Sequence, residues 1–522
     1  MKKVYPLISL VLFLFLSSLA GCTQDKRNYG EIKPLRSKQV KMKDMFGING
    51  FEWDFYDAHN NFDSAKFNII RNFSGFRHFL DWERVEPQKE VFRFNHKPEG
   101  GWSYDEIYEK CMRDSITVLV DLQVTPNWLI NTYPEGQRQR DLSPLPYGAK
   151  KDLPKSYIDI AKAGFQLAAR YGRNKNIDKK LILVPKESAS PVIGLGYVKY
   201  LESSNEPDKW WRGKDAEQSP EEYAAQLSAF YDGHKGSLGA GVGVKTADPT
   251  MMVVMGGIAK PNVEYVKRMV EWCKKNRGMK KDGKVDLCFD VINYHMYSND
   301  YTGWFAKFRT KNRGVAPETN DMTEIANSFV NYAAELGNMP VWSTETGYDL
   351  GNKSSQRAIA IGSKSKEITQ ADWLLRLGLL YARQGLDRVF YYQLYDNNEP
   401  GADDGGTFGF SGLVDRSKRR PAADYIRQVT KLMGDYYYLN TINKDPIVDV
   451  YQLGKKRMFV LAVPDEVDRK EKYSLDLQQA KKALIYTLQP GKDAMSVKEV
   501  AIPNGILELE VSETPIFVEA KL

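Results

Sequence analysis

Histidine and cysteine are scarce in this chain of 522 residues: five His and four Cys are too few and too scattered for a Cys/His metal cluster. Long apolar runs are scarce as well. Only Leu7–Leu19 approaches membrane length, and it falls short of the ~20 residues that a spanning helix needs, which excludes a multi-span membrane protein. Charge of one sign is also lacking. The 74 Lys and Arg against 67 Asp and Glu leave +7, dispersed along the chain, without the basic patch that nucleic acid demands. A hydrophobic share of 42% excludes a wholly disordered chain. What is plentiful is aromatic: 10 Trp, 30 Tyr and 23 Phe. At roughly 100–200 residues per domain, the length suits two or three domains.

The first residues read as an export signal. Lys2 and Lys3 precede the apolar run, and Leu19-Ala20-Gly21-Cys22 closes it. That tetrapeptide resembles a bacterial lipobox, which implies a signal peptide over residues 1–21, lipidation of the Cys22 thiol and a membrane anchor made of acyl chains. The mature protein is then expected at the periplasmic or outer face of the cell. Residues 22–44 read as a tether. Cys111, Cys273 and Cys288 remain, and their apolar surroundings predict buried free thiols rather than a disulfide framework.

From residue 45 to about 435 short apolar runs alternate with helical segments. The runs are Met45–Phe51, Gly75–Phe79, Thr117–Gln123, Tyr197–Leu201, Met251–Gly257, Cys288–His295, Pro340–Thr344 and Val389–Leu394. Helix punctuation falls between them: Ser103-Tyr104-Asp105-Glu106 and Ser219-Pro220-Glu221-Glu222 are capping boxes, the second with proline at its first helical position. Eight strands alternating with helices predict an α/β fold, a (β/α)₈ TIM barrel. The connection over about 131–196 exceeds a normal loop and reads as a rim insertion. Beyond Gly434 the period changes to short alternating runs separated by Gly, Pro, Asp and Lys, which predicts a small antiparallel β-sandwich over 436–522.

A barrel carries its chemistry at the C-terminal ends of its strands. Asn205-Glu206-Pro207 follows the fourth run and Glu345 the seventh. Far apart in the chain, the two carboxylates would be aimed into one cavity. Two carboxyls with environments that separate their pKa values are what glycoside hydrolysis needs: one protonated to assist the leaving oxygen, one ionised to attack C1 or activate water. Arg77, after the second run, would be buried and would require a carboxylate such as Glu345. Glu202, inside the fourth strand, is expected to contact an inner barrel neighbour instead.

These positions together resemble clan A of the glycoside hydrolases, the retaining (β/α)₈ enzymes that include cellulases, mannanases and β-xylosidases, over residues 45 to 430. The resemblance implies Glu206 as acid/base, Glu345 as nucleophile and Asn205 as the partner of a sugar 2-hydroxyl. It implies too that Arg77 holds the nucleophile and that His295 and Tyr297 stand beside it. Trp82-Glu83-Arg84-Val85-Glu86-Pro87 also follows the clan's style. The eighth strand departs from it, reading Tyr391-Tyr392-Gln393-Leu394-Tyr395-Asp396 where many members carry a Trp.

The expected reaction is a double displacement on a β-linked polysaccharide or oligosaccharide, without metal or organic cofactor, by a monomer. Trp53, Trp128, Trp210, Trp211 and Tyr395 are candidate platforms for the apolar faces of sugar rings. Asp396 opens a glycine-rich stretch to Phe410 that is expected to cover the site. A β-glucan is the preferred substrate, with xylan, mannan and host glycans also compatible. The competing expectation is a catalytically silent glycan-binding lipoprotein on the same scaffold. Retention of both glutamates and Asn205 argues against it, since binding alone has no chemical use for that pair.

Overall fold

The computed structural model describes residues 38–185, 190–300, 313–398, 406–416 and 418–521. The export signal, Cys22 and most of the tether lie outside the described residues, as do residues 399–405 of the glycine-rich stretch after Asp396.

Eight parallel strands form the central sheet: β1 (Phe46–Gly50), β2 (Gly75–Asp81), β3 (Thr117–Gln123), β4 (Tyr200–Ser203), β5 (Met252–Met255), β6 (Ile292–His295), β7 (Val341–Thr346) and β8 (Arg388–Tyr391). Their order, β5-β4-β3-β2-β1-β8-β7-β6, wraps the sheet round. A parallel bridge between Val254 and Val291 spans the remaining seam. Each strand is followed by a helix: α1 (Ser64–Ile70), α2 (Tyr104–Arg113), α3 (Ile158–Tyr171), α4 (Pro220–Asp232), α5 (Val263–Asn276), α6 (Met322–Glu335), α7 (Lys366–Gln384) and α8 (Pro421–Met433). The architecture is a TIM barrel. Two local signals act as expected: Ser103 accepts the Glu106 N–H at the start of α2, and Ser219 and Glu222 close a reciprocal capping box on α4. One helix, α1, was not anticipated. At seven residues it has too little periodicity to show, and its start rests on Asp63, which accepts the N–H groups of Ala65 and Lys66. The fourth strand begins at Tyr200, three residues later than expected, because residues 190–199 run as irregular backbone after α3.

Side chains alternate across each strand, so every second residue enters the barrel. The lower interior layer is apolar: Leu119, Val254, Val291, Trp342 and Phe390 cluster with Tyr200. Gly47 leaves room for it, since a Cβ there would lie 2.4 Å from the Phe390 ring. Two residues further along the strands the interior turns polar, with Asn49, Arg77, Asp121, Glu202, Asn293 and Thr344 all fully buried. A polar layer above an apolar plug is the platform on which the site stands.

A β-hairpin, β9 (Val414–Asp415) with β10 (Lys418–Arg419), leads into α8. The C-terminal strands are β11 (Tyr437–Lys444), β12 (Ile447–Leu453), β13 (Lys456–Ala462), β14 (Glu471–Asp476), β15 (Lys482–Thr487), β16 (Ser496–Ala501), β17 (Ile506–Val511) and β18 (Ile516–Lys521). They form an antiparallel sandwich that is markedly unequal, a six-stranded sheet β11-β12-β13-β18-β15-β16 against the pair β14-β17. Its inner face holds Val448, Val450, Leu461, Leu475, Leu507 and Val518. The sandwich is tied to the barrel by the Arg383 guanidinium, which donates to both oxygens of Asp449 at 2.8–3.1 Å. Cys111, Cys273 and Cys288 are buried and unbonded; the Sγ atoms of Cys273 and Cys288 stand 3.4 Å apart, well beyond the ~2.05 Å of a disulfide.

Candidate active site

Arg77 on β2 organises the polar layer. Its Nε and Nη2 donate to the two oxygens of Glu202 at 2.8 and 3.0 Å, and Nη2 also reaches Asp121 at 3.0 Å and Asn205 Oδ1 at 2.8 Å. Its Nη1 donates to Asn49 at 3.1 Å and to Glu345 Oε1 at 2.8 Å. Glu202 is thus the inner barrel partner expected of it. A guanidinium with no solvent contact needs such a carboxylate cage, because desolvation of an unpaired cation would be prohibitive.

Glu345 is 6% exposed at the end of β7. Tyr297 donates its hydroxyl to Oε2 at 3.0 Å, so both carboxylate oxygens carry a donor. The neighbouring Thr344 also points inward, which strict alternation forbids. A register shift between β6 and β7 resolves this: Tyr294 pairs with Ser343, but His295 with Glu345, leaving Thr344 as the extra residue. Thr344 Oγ1 then accepts the Asn293 amide at 2.7 Å and meets His295 Nε2 at 3.0 Å.

Beyond β4 the backbone turns sharply. Ser204 (φ 68°) and Glu206 (φ 48°) both occupy the left-handed region, which is costly for residues with a Cβ and concentrates at functional sites. The turn presents Asn205 and Glu206 together. Glu206 Oε1 stands 3.0 Å from His295 Nδ1, which is itself 3.7 Å from Glu345 Oε2. His295 thus meets the Thr344 hydroxyl through Nε2 and the two glutamates through Nδ1. The imidazole needs the space above Gly257, where a Cβ would come within 2.0 Å of Nε2.

The two carboxyls differ in environment. Burial raises the Glu206 pKa to about 7, against the opposing pull of the Lys209 and Arg77 charges. Burial lowers His295 to about 4, so its ring is neutral near pH 7. Oxygens of Glu206 and Glu345 and a ring nitrogen of His295 all lie within 4.8 Å of one another. Such spacing would also suit a cation, yet Arg77 and Tyr297 already engage both oxygens of Glu345.

These groups open into a cleft of about 500 Å³ lined by Asn205, Glu206, Tyr297, Glu345, Trp210 and Trp211, together with Phe51, Phe79, Gln123, Ala259, Tyr392 and Phe408. Eight of the twelve residues singled out from sequence are therefore brought together, counting Arg77 and His295 behind the wall. Four are not. Trp53 stacks one face on Phe51 at 4.5 Å, with the Arg84 guanidinium 5.2 Å from its ring, and stands at the rim. Trp128 packs edge-on against Trp82 and donates its indole N–H to the Glu86 carbonyl. Tyr395 lies 5.7 Å from the Lys66 ammonium, outside the cleft. Asp396 is held by Arg420 at 2.7 and 2.9 Å and accepts the Gly412 N–H, a structural clamp on the loop. The residues missed, Phe51, Phe79 and Tyr392, each sit two positions beyond an inward-facing residue (Asn49, Arg77, Phe390). Strand alternation alone would have found them. Tyr392, meeting Phe79 and Phe408 edge-on, lines the cleft just beyond β8, in the run that lacks a Trp.

A (β/α)₈ barrel with paired glutamates at the ends of β4 and β7 is the architecture so defined. No protein-family model matches the chain, and no curated protein does. Among solved structures the chain is similar to a family 39 glycoside hydrolase from Bacteroides cellulosilyticus, at 17% identity over 93% of this chain and 82% of that one, with a TM-score of 0.61. It is similar also to a GH30 endoxylanase from Clostridium papyrosolvens, at 12% identity over 94% and 97% with a TM-score of 0.53. A family 51 alpha-L-arabinofuranosidase from Bifidobacterium longum gives 12% identity over 94% and 99% with a TM-score of 0.52. At these identities the likeness is one of fold: the chain shares the fold of these solved structures over more than nine-tenths of its length.

Proposed function

We propose that this protein is a retaining glycoside hydrolase that cleaves β-linked oligosaccharides or polysaccharides by double displacement. One observation carries the reading: two carboxyls whose oxygens lie within 4.8 Å stand in opposite environments, Glu345 clamped by a guanidinium and a phenol, Glu206 buried with its pKa near 7. Retaining enzymes hold the pair about 5–5.5 Å apart, and a water for direct inversion needs more room. Glu345 attacks the anomeric carbon while Glu206 hands its proton to the departing oxygen. Once the covalent bond has consumed the charge on Glu345, Glu206 gives up its proton more readily and deprotonates the incoming water. His295, hydrogen-bonded through Nδ1 to Oε1 of Glu206, leaves the other oxygen of that carboxyl to face the leaving group. The resemblance noted above assigns Asn205 to the sugar 2-hydroxyl, and its Oδ1, fixed by Arg77, turns the amide donor towards the cleft. The likeness in fold to a glycoside hydrolase, an endoxylanase and an arabinofuranosidase supports the same reaction class.

The pH dependence follows from the sign of the Glu206 shift. A general acid with a pKa of about 7 is protonated below that value, so kcat/KM is expected to fall as pH rises through about 7. Glu206→Ala should lower kcat about 10²–10⁴-fold on substrates with poor leaving groups and abolish that alkaline limb. Steady-state pH profiles of both proteins check this; an unchanged alkaline limb in Glu206→Ala would assign it to another group.

We also propose that the protein is exported and anchored through lipidated Cys22, on the strength of the lipobox-like Leu19-Ala20-Gly21-Cys22. Labelling with radioactive palmitate in a bacterial host should mark the unmodified protein and leave Cys22→Ala unlabelled; equal labelling of both would place the lipid elsewhere.

A further inference from the structure

The acid Glu206 protonates the leaving group, so the leaving group binds on the wall that carries Glu206. That wall is the segment joining β4 to α4, together with the residues after β5. Trp210 and Trp211 stand there, 45% and 48% exposed, with their rings perpendicular and 4.6 Å apart. Two ammonium groups accompany them. Lys260 lies 4.0 Å from the centre of the Trp210 ring. Lys209, three residues after Glu206, lines a small separate cavity with Arg140 and Asp141, which shares Asn205 and Gln123 with the wall of the cleft.

Neither lysine has a carboxylate in contact. Among the described residues none accepts a hydrogen bond from the Lys209 ammonium or lies within the 4.0 Å of an ion pair, and the same holds for Lys260. The acids of this wall are committed elsewhere: Asp141 pairs with Arg212 at 3.0 Å, and Asp208 accepts the backbone N–H groups of Ala259 and Lys260 at 2.8 Å each. Burial holds the Lys209 pKa below the usual lysine value. The charges of Asp141, Glu206 and Asp121 act on it only from beyond contact; a largely desolvated cation with no carboxylate in contact is costly, and a neutral sugar seated against it would desolvate it further without supplying a counter-charge. An anionic sugar would supply one, while the indole faces take the apolar side of its ring.

We propose that Lys209 and Lys260, set against Trp210 and Trp211, form a leaving-group subsite for an anionic sugar, one carrying a carboxylate or a sulfate ester. The proposal rests on Glu206 being the acid of a glycoside hydrolase. It narrows the substrate to acidic polysaccharides, away from the neutral β-glucan preferred from sequence.

Calorimetry on the full protein tests it with three probes: uronate-bearing oligosaccharides from glucuronoxylan, sulfated oligosaccharides from carrageenan, and neutral xylo-oligosaccharides. At least one anionic set should bind about 10-fold or more tightly than the neutral set at low salt, with the advantage shrinking in 0.5 M NaCl, where screening is strong. Which set gains tells carboxylate from sulfate. Lys209→Gln and Lys260→Gln should each bring the anionic-to-neutral ratio towards one, and Lys209→Arg should keep it. Equal binding of all three sets, no binding of any, or a ratio untouched by Lys209→Gln would overturn the subsite. Turnover of an aryl glycoside is read separately: hydrolysis without charge preference fails the subsite and spares the glycosidase, whereas charge-dependent binding without any hydrolysis does the reverse.

Discussion

Glu345→Gln is expected to lower kcat on an activated aryl β-glycoside by about 10⁴-fold or more, the order of loss found when a nucleophile is removed from a unit that acts together. The replacement keeps the volume and the hydrogen-bonding shape of the side chain, so the amide oxygen can still accept from Arg77 and the fold is expected to persist. What disappears is the attacking oxygen pair. An equal melting temperature beside a collapsed kcat would separate chemistry from stability. A loss below about 10-fold would mean that Glu345 does not form the covalent bond, and the neighbouring Glu202, tied at both oxygens to Arg77, could not replace it.

The second large effect is on stability. Arg77→Met should cost about 3–5 kcal/mol, because it leaves Asp121, Glu202 and Glu345 buried around a vanished cation. For a protein of ordinary stability that is a substantial fraction of the whole. The pH dependence of the variant carries the sign of the argument. Burial already pushes the Asp121 pKa up despite Arg77; without the guanidinium the folded state would bind more protons than the unfolded state over a wider range. The variant should therefore gain stability as pH falls from 8 to 5, read as a rise in the urea midpoint. A variant as stable as the parent at pH 8 would show that the cage does not depend on its cation.

Much of this architecture was legible in the sequence for a physical reason. Barrel strands are buried on both faces, so runs such as Thr117–Gln123 and Met251–Gly257 stand out as short apolar segments. The strand-end rule then led to Glu206 and Glu345. The same logic stopped short where backbone detail decides. Alternation cannot place Thr344 and Glu345 on one side of β7; only the extra residue opposite His295 does so. Nor can it predict that Ser204 and Glu206 adopt left-handed backbone to turn Asn205 and Glu206 together. The positions of the rim aromatics were illegible for a different reason. Trp53 and Trp128 are placed by partners on other loops, Phe51 and Arg84 for one, Trp82 and Glu86 for the other, and nothing in a local sequence window announces those contacts. Lys209 belongs with them, since the lack of a carboxylate in contact is visible only in three dimensions.

The covalent bond to Glu345 is the step that separates a retaining hydrolase from every alternative. Incubation with activated 2-deoxy-2-fluoro β-glycosides of glucose, xylose and glucuronic acid, followed by peptide mass mapping, should find one fluoroglycosyl mass on the peptide that contains Glu345, with Glu345→Gln remaining unlabelled. Label on any other residue, or a product released with inverted configuration at C1, would contradict it.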